Sequence, residues 1–358
     1  MRRVLIHDID GARQILARQA GSDRIAWDVL LTEKENDSGS LSFSIGAENP
    51  EYEAITTLRS EIVVEDDGVE IWRGRVTGQE DTLSGRKKIT VKGLLDYFHD
   101  SIIEAKTFEG SAEDVLSAVI AAHNASGIEQ KKKFAVGTVT GIDDVKYELN
   151  TPKKAWPVLK DLIKQFGGAI FCRRDGDVNY VDWLGDAKAY RPSCSQVIKF
   201  GKNLMSLKTS ISGDDVATVI YGYGKKSNSS YLTATSVNDG KKYVYDPDAV
   251  AAFGWIEDVL VDGNISSASE LISSMKSELS RRMSEARSLS AEAVDLSDLG
   301  QAQERIMPGV YASLKSAYHG IDEAVKVEEI RRYLFAPHRT TITLGASLSA
   351  ASKILRRV

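Results

Sequence analysis

The sequence is poor in the residue types that most often carry chemistry. It holds 2 cysteines and 5 histidines in 358 residues. Cys172 and Cys194 make no CxxC pair and no disulfide framework, and they read as two ordinary thiols of a protein made in a reducing cytosol. His7, His99, His123, His319 and His338 are scattered, with no two at metal-ligand spacing; His123, on a helical face, reads as packed or hydrogen-bonded. No apolar run approaches the roughly 20 residues that cross a bilayer. The start, MRRVLIHD, has charge but no apolar core or small-residue cleavage site, so no signal peptide is expected. Basic excess is absent too. The formal net charge of −5 argues against a general nucleic-acid binder.

Several near-motifs lack one required residue. Gly222-Tyr223-Gly224-Lys225-Lys226-Ser227 suggests a phosphate loop, but Val219 stands where the first glycine is needed. Asp175, Asp177 and Asn179 have calcium-loop spacing, but Tyr180 fills the glycine position. No Gly-x-Ser-x-Gly elbow occurs. The 51 acidic residues make chance carboxylate pairs certain, so pairs carry no information. No catalytic residue, metal ligand or cofactor is expected.

What is present is alternation. With 42% hydrophobic and 27% charged residues the chain is a globular protein of two or three packed units. Ile62 to Ile103 is the organising stretch. Ile62, Val64, Val69 and Ile71 repeat every second residue, as half-buried strands do. Asp66-Asp67-Gly68 and Ser84-Gly85 supply tight turns. After Gly93 the pattern turns helical. Upstream, Ile25–Thr32 and Ser40–Ile45 flank a polar hairpin tip, Glu33 to Gly39. Downstream, helices are expected from Ser111 (capped, with Asp114), from Thr151-Pro152 to Gly167-Gly168, and over 266–290. A hairpin is expected at 169–182. Strands are expected at 197–200, 204–212, 217–224, 293–296, 308–314, 325–335 and 340–344. The segment 225–240 reads as a polar tip. Ile89-Thr90-Val91 and Ile342-Thr343-Leu344 each close a run of strands, which hints at two related β units.

Two stretches carry a resemblance. Glu33, Asn36, Gly39 and Phe43 sit in a Glu-x-x-Asn…Leu-x-Phe hairpin, and Trp72-Arg73-Gly74-Arg75-Val76 leads to Ile89–Gly93 and then to Leu94–Ser101 with Tyr97. In this order they resemble the first domain of the phage baseplate or tail-tip hub family. Asp295-Leu296, Gly309 and Leu344-Gly345 fit the family's later strands. The resemblance implies an α+β, mainly β fold: two small antiparallel β-barrel-like tube domains with inserted α/β and helical segments. The expected division is 1–103, a first tube-like domain; 104–194, an α/β domain; 195–240, strands completing the barrels; 241–292, a helical segment; and 293–358, the second tube-like domain.

The function implied is structural: a hub of a tail tip, a homotrimer whose six similar units continue a six-fold tail tube. Implied partners are a distal tail protein or tube ring, the tape-measure protein, and a downstream fibre, spike or receptor-binding protein. Genomic DNA would pass through the ring without specific binding, and the protein would reside in the virion after synthesis in the bacterial cytoplasm. Relatives often carry a hydrolase after the hub region; none is expected in the short stretch past Gly345. Two alternatives are a carbohydrate-binding module, which would need an exposed aromatic cluster, and a hydrolase. Trp27, Trp72, Trp156, Trp183 and Trp255 read mostly as core.

Overall fold

The computed structural model describes residues 3–7, 13–16, 24–66, 68–83, 85–211, 213, 216–227, 229–285, 287–299, 304–318 and 321–345; for 3–7, 13–16, 193, 209–211, 284–285, 287–290, 298–299 and 323 it describes the backbone alone. The chain begins with seven strands: β1 (Arg3–His7), β2 (Arg13–Leu16), β3 (Ala26–Lys34), β4 (Ser40–Gly46), β5 (Glu61–Asp66), β6 (Val69–Asp81) and β7 (Arg86–Gly93). A 3₁₀ turn over Leu94–Asp100 follows.

Next comes an α/β insert. It holds β8 (Ile102–Ile103), β9 (Lys106–Gly110), α1 (Ala112–Ala125), β10 (Phe134–Thr140), β11 (Val145–Leu149), β12 (Lys153–Lys154), α2 (Ala155–Phe166), β13 (Ala169–Asp175) and β14 (Val178–Leu184). Ser111 caps α1 by accepting from the Asp114 N–H. The helix expected from Thr151-Pro152 starts instead at Ala155, because Lys153 and Lys154 pair with Ile103 and Ile102 and hold the backbone extended. It ends at Gly167, φ +76, as expected. Its apolar face closes on a core with Leu116, Val119, Leu159 and Trp183.

The remaining strands are β15 (Ser193–Lys199) and β16 (Leu204–Ile211), then a second insert with β17 (Val219–Tyr223), β18 (Lys226–Ser227), β19 (Ser230–Tyr231), β20 (Tyr243–Tyr245), α3 (Pro247–Phe253), β21 (Glu257–Val261) and α4 (Ala268–Glu285). The chain returns through β22 (Arg287–Ala293), β23 (Tyr311–Ser316), β24 (Ile321–Tyr333) and β25 (Thr341–Gly345). Two sequence expectations shift here. The helix expected over 266–290 stops at Glu285, since Arg287–Ala293 pairs on both sides with β16 and β25. The strand expected at 293–296 therefore lies earlier, and Leu296–Leu299 is a 3₁₀ turn. The polar tip at 225–240 contains the short β18–β19 hairpin, and α3, capped by Asp246, was not anticipated.

The fold is mainly β, and strands from both ends of the chain enter one 13-stranded sheet. Within it the first half runs β3-β4-β7-β6-β5 and the second β16-β22-β25-β24-β23, all antiparallel neighbours. Numbered within each half, both orders read 1-2-5-4-3. The register agrees as well. The β6–β7 ladder slips between Val76 and Gly78, and the β24–β25 ladder slips between Val327 and Glu329. Beside the slip, Val76 N–H donates to Ser60 O (3.0 Å) and Leu58 N–H to Val76 O (2.7 Å). Val327 N–H likewise donates to Val310 O (2.9 Å) and Gly309 N–H to Val327 O (2.6 Å). The donors Leu58 and Gly309 both have positive φ, +64 and +80. Val76 is thus the counterpart of Val327, and Ile89-Thr90-Val91 of Ile342-Thr343-Leu344. The two halves are copies of one strand arrangement.

Each half has its own core. Leu31, Phe43, Val76 and Val91 are among the buried residues of the first, and Ala291, Val327, Ile342 and Leu344 of the second. The halves join where β24 lies antiparallel to β3, from Glu329 opposite Lys34 to Tyr333 opposite Leu30. Gly74 is fixed by close approach: a Cβ there would collide with the Lys92 carbonyl and the Trp72 ring. Gly74→Ala is expected to destabilise the protein by roughly 1–3 kcal/mol, from overpacking against backbone, read as a lower denaturation midpoint at unchanged m-value.

Candidate functional site

The tip of the β3–β4 hairpin is where the parts of the molecule meet. Asn36 has φ +57 and Gly39 φ +71, and the Gly39 N–H donates to the Asp37 carboxylate at 3.1 Å. This tight tip projects three side chains to three neighbours. Asn36 accepts from Ile170 N–H (2.9 Å) and donates to Gly168 O (3.4 Å), so it caps the start of β13 in the α/β insert. Glu35 binds Lys326 of β24 (2.8 Å) and Arg191 (2.8 Å), whose guanidinium also bonds Gly185 O and Asp186. Glu33 binds Arg305 (2.6 Å) and Arg332 (3.3 Å).

Arg332 has no exposed side chain, and neither has its second partner, Asp295, at 2.8 Å. It also donates to Ile306 O. Asp295 accepts in addition from Gln196 (2.6 Å), Ser297 and the Ile306 N–H (2.9 Å). Burial alone would raise the Asp295 pKa, but the Arg332 charge and these donors hold it below the ordinary carboxylate range. Leu296 is buried beside it.

Arg75 forms a second buried knot. It binds Asp96 (2.7 Å) and Asp100 (2.6 Å) and lies over the Tyr97 ring at 5.0 Å. Tyr97 O–H donates to Glu61 (2.6 Å). Burial and the Glu61 carboxylate push its phenol far up. Trp72 is half-buried against Gly74, Gly93 and Gly39, and a Cβ on Gly93 would collide with the Ser38 carbonyl. Phe43, Val76 and Leu344 are core. Gly309 faces Phe171 across the seam, and Gly345 lies against Glu328. The structure thus gathers Glu33, Asn36, Gly39, Trp72, Gly74 and Gly93 around the hairpin tip, with Asp295 linked to Glu33 through Arg332. Arg75 and Tyr97 form their own cluster. Arg191, Arg305 and Arg332 were not anticipated, because single arginines in the sequence carry no sign of being buried.

The arrangement nearest to a catalytic pair is Ser101 and His123. Ser101 Oγ lies 2.6 Å from Nδ1, and Nε2 lies 3.0 Å from Lys132 O. With Nε2–H donating to that carbonyl, Nδ1 accepts from the hydroxyl. Both residues are buried and the ring packs against Phe98 and Phe134, which stack on each other, so the pair offers no approach to a substrate. Cys172 and Cys194 are free thiols; burial pushes the Cys172 pKa to about 12, the wrong direction for a nucleophile. Among the described residues no group of His, Cys, Asp and Glu could hold a metal. No described helix is long and apolar enough to cross a membrane. A cleft of about 520 Å³ opens between the hairpin tip, Trp72 and β13.

The aromatic expectation needs one correction. Trp156 and Trp183 are buried, but Trp255 is 49% exposed. It sits 5.4 Å from Tyr243 and 5.7 Å from Tyr245, and its indole N–H donates to Glu257, which also accepts from Tyr221. Tyr221, Tyr243 and Val259 share one face of the β20–β17–β21 sheet, opposite α4; the alternation there reflects burial of Ile220 and Val244 under Leu271 and Met275.

Comparison with known proteins agrees with this architecture. Residues 192–355 match the family described as Prophage endopeptidase tail. The whole chain is similar in fold to the prophage tail protein gp18 of Listeria monocytogenes (15% identity, TM-score 0.61, 99% of this chain and 97% of that one). It is similar too to the 43 kDa tail protein of prophage MuSo2 from Shewanella oneidensis (13%, 0.67, 97% and 99%). A tail protein of Neisseria meningitidis gives 12% and 0.63 over 99% of each chain. No curated protein matches in sequence. The resemblance to phage tail proteins is therefore borne out, in fold over the whole chain and in sequence over its second part.

Two outcomes follow from the geometry. Arg332→Met removes the cation from between the buried Asp295 and the partly buried Glu33, and a loss of about 3–5 kcal/mol in chemical denaturation is expected. His123 gives a pH signature. Burial lowers its pKa, outweighing the Lys132 carbonyl and Asp100. Its contribution to stability is full above the unfolded value, about 6.5, and is lost as pH falls from there towards the folded-state pKa. Wild-type stability should decline through that window, and His123→Gln should flatten the slope.

Proposed function

We propose that this protein is a structural component of a phage or prophage tail tip, assembled as a homotrimeric ring. The observation that carries the reading is the repeat: two halves with one strand order and one slip, joined edge to edge in a single sheet. A subunit with two similar wall segments gives six such segments when three copies close head to tail. That is how a three-fold ring would extend a six-fold tube. The two halves would then be its barrel-like tube domains. The similar fold of the three tail proteins, two of them from prophages, supports the class.

The role is structural rather than enzymatic. The word endopeptidase stands in the family's description, but the Ser101–His123 pair is sealed and supports no such activity here. DNA would pass through the bore without specific binding, which the net charge of −5 favours. A distal tail protein or tube ring and the tape-measure protein would contact the ring's ends. The exposed rings of Trp255 and Tyr245, with the half-buried Tyr243 between them, stand on the second insert. They suit attachment of a further tip protein, since aromatic residues anchor interfaces.

A reconstruction of purified tail tips tests the reading. Three copies are expected around the axis, with neighbouring density over the Trp255 face. One copy or six per turn would sink the ring.

A further inference from the structure

The repeat also says which surfaces of separate copies meet. Inside the chain the joint is made by the second half of β24. Glu329–Tyr333 pairs with Lys34–Leu30 of β3, and Leu334 follows, donating its N–H to Val29 O at 3.0 Å. Leu334 is 3% exposed and sits in the core of the first half, not of its own. It is a plug from one half into the other.

The matched slips fix its counterparts. Val76 corresponds to Val327 and Gly78 to Glu329, so Glu80 corresponds to Arg331, Asp81 to Arg332 and Leu83 to Leu334. Across the joint, pairing with β4 and with β22 makes Thr32 the counterpart of Ser210, Leu30 of Lys208 and Val29 of Leu207.

The counterparts are not joined to one another. β5 covers β6 only as far as Arg75, and no described strand pairs with that edge from Thr77 to Asp81. β16 ends the sheet; a single bridge from Leu204 to Phe200 touches its outer edge. Leu83 is wholly exposed where Leu334 is wholly covered. At the receiving strand Phe200 and Met205 are exposed, at 82% and 55%. The plug end therefore shows solvent the leucine that the internal joint hides, apolar side chains stand exposed beside the receiving strand, and acidic Glu80 would share a sheet face with Lys208. An open strand edge with apolar flanks is a pairing template.

We propose that β6 of one copy pairs antiparallel with β16 of the next, Glu80 opposite Ser210 and Thr82 opposite Lys208, and that Leu83 inserts beside Leu207 of that neighbour. The partner is a second copy of this chain. The joint between copies repeats the joint within each copy, so one sheet runs unbroken around the ring. This assignment rests on the trimeric reading and adds the edges and the register to it.

Cysteine cross-linking reads both. In a Cys172→Ser, Cys194→Ser background, Glu80→Cys and Ser210→Cys are placed in one chain and oxidised over a range of protein concentrations. Expected are linked species of two and three chains and none larger. Separate Glu80→Cys and Ser210→Cys chains, mixed, should stop at two. Leu83→Asp, on a side chain that packs against nothing in the monomer, should leave the denaturation midpoint unchanged and weaken association roughly ten- to hundred-fold, the worth of burying one leucine. A protein that sediments as a trimer but yields no link overturns the edge assignment and leaves the ring standing. Links that run beyond three chains overturn the closed ring and keep the edge. A protein that neither links nor associates at any concentration overturns both.

Discussion

A buried guanidinium governs this structure. Arg332 is taken wholly out of water at the joint between the halves, and that is tolerable only with Glu33 and Asp295 in place. Glu33 is on the first half and Asp295 on the second, so neither half alone satisfies the charge. The hydrophobic cores would tolerate many relative placements of two sheets; the ion network accepts one. The strand ladder from β24 to β3 and the Asn36 cap on β13 then follow from where the hairpin tip has been pinned.

The local part of this fold was legible in the sequence. Alternation marked the strands of the first half, and glycines placed the turns and the end of α2. Extended runs were missed where helix-forming residues pair with a distant strand. Arg287–Ala293 reads as a continuation of α4, yet it is captured between β16 and β25. Lys153-Lys154 reads as a first helical turn, yet Ile102-Ile103 holds it straight. In both cases tertiary pairing overrode local preference, and no window of sequence contains the partner strand.

The site was half legible. Glu33, Asn36 and Gly39 stood out through the resemblance to the hub family, and the structure sets all three on or beside one hairpin tip. Their partners did not stand out. Arg191 and Arg305 lie in polar loops, and Arg332 lies in a strand whose neighbours are charged, so nothing in composition separates them from solvated arginines. The repeat itself left only the Ile-Thr pair as a trace, because the two halves share strand order and slip but few side chains. Leu58 keeps the positive φ that Gly309 adopts freely, which shows how far side chains can change while the backbone path is retained.

One difference between the copies has a consequence for how such a chain can change. The link from β3 to β4 is a five-residue tip, whereas the corresponding link from β16 to β22 carries a whole module. That module enters after Ile211 and leaves at Arg287, two residues that face each other on adjacent strands. It has its own interior, built on Ile220, Leu271 and Met275. Closing a longer loop costs entropy only logarithmically, so the frame is indifferent to what hangs between those two positions. The second hairpin is thus a socket for interchangeable cassettes, and the outward chemistry of the protein can be rewritten there without touching the wall that carries it.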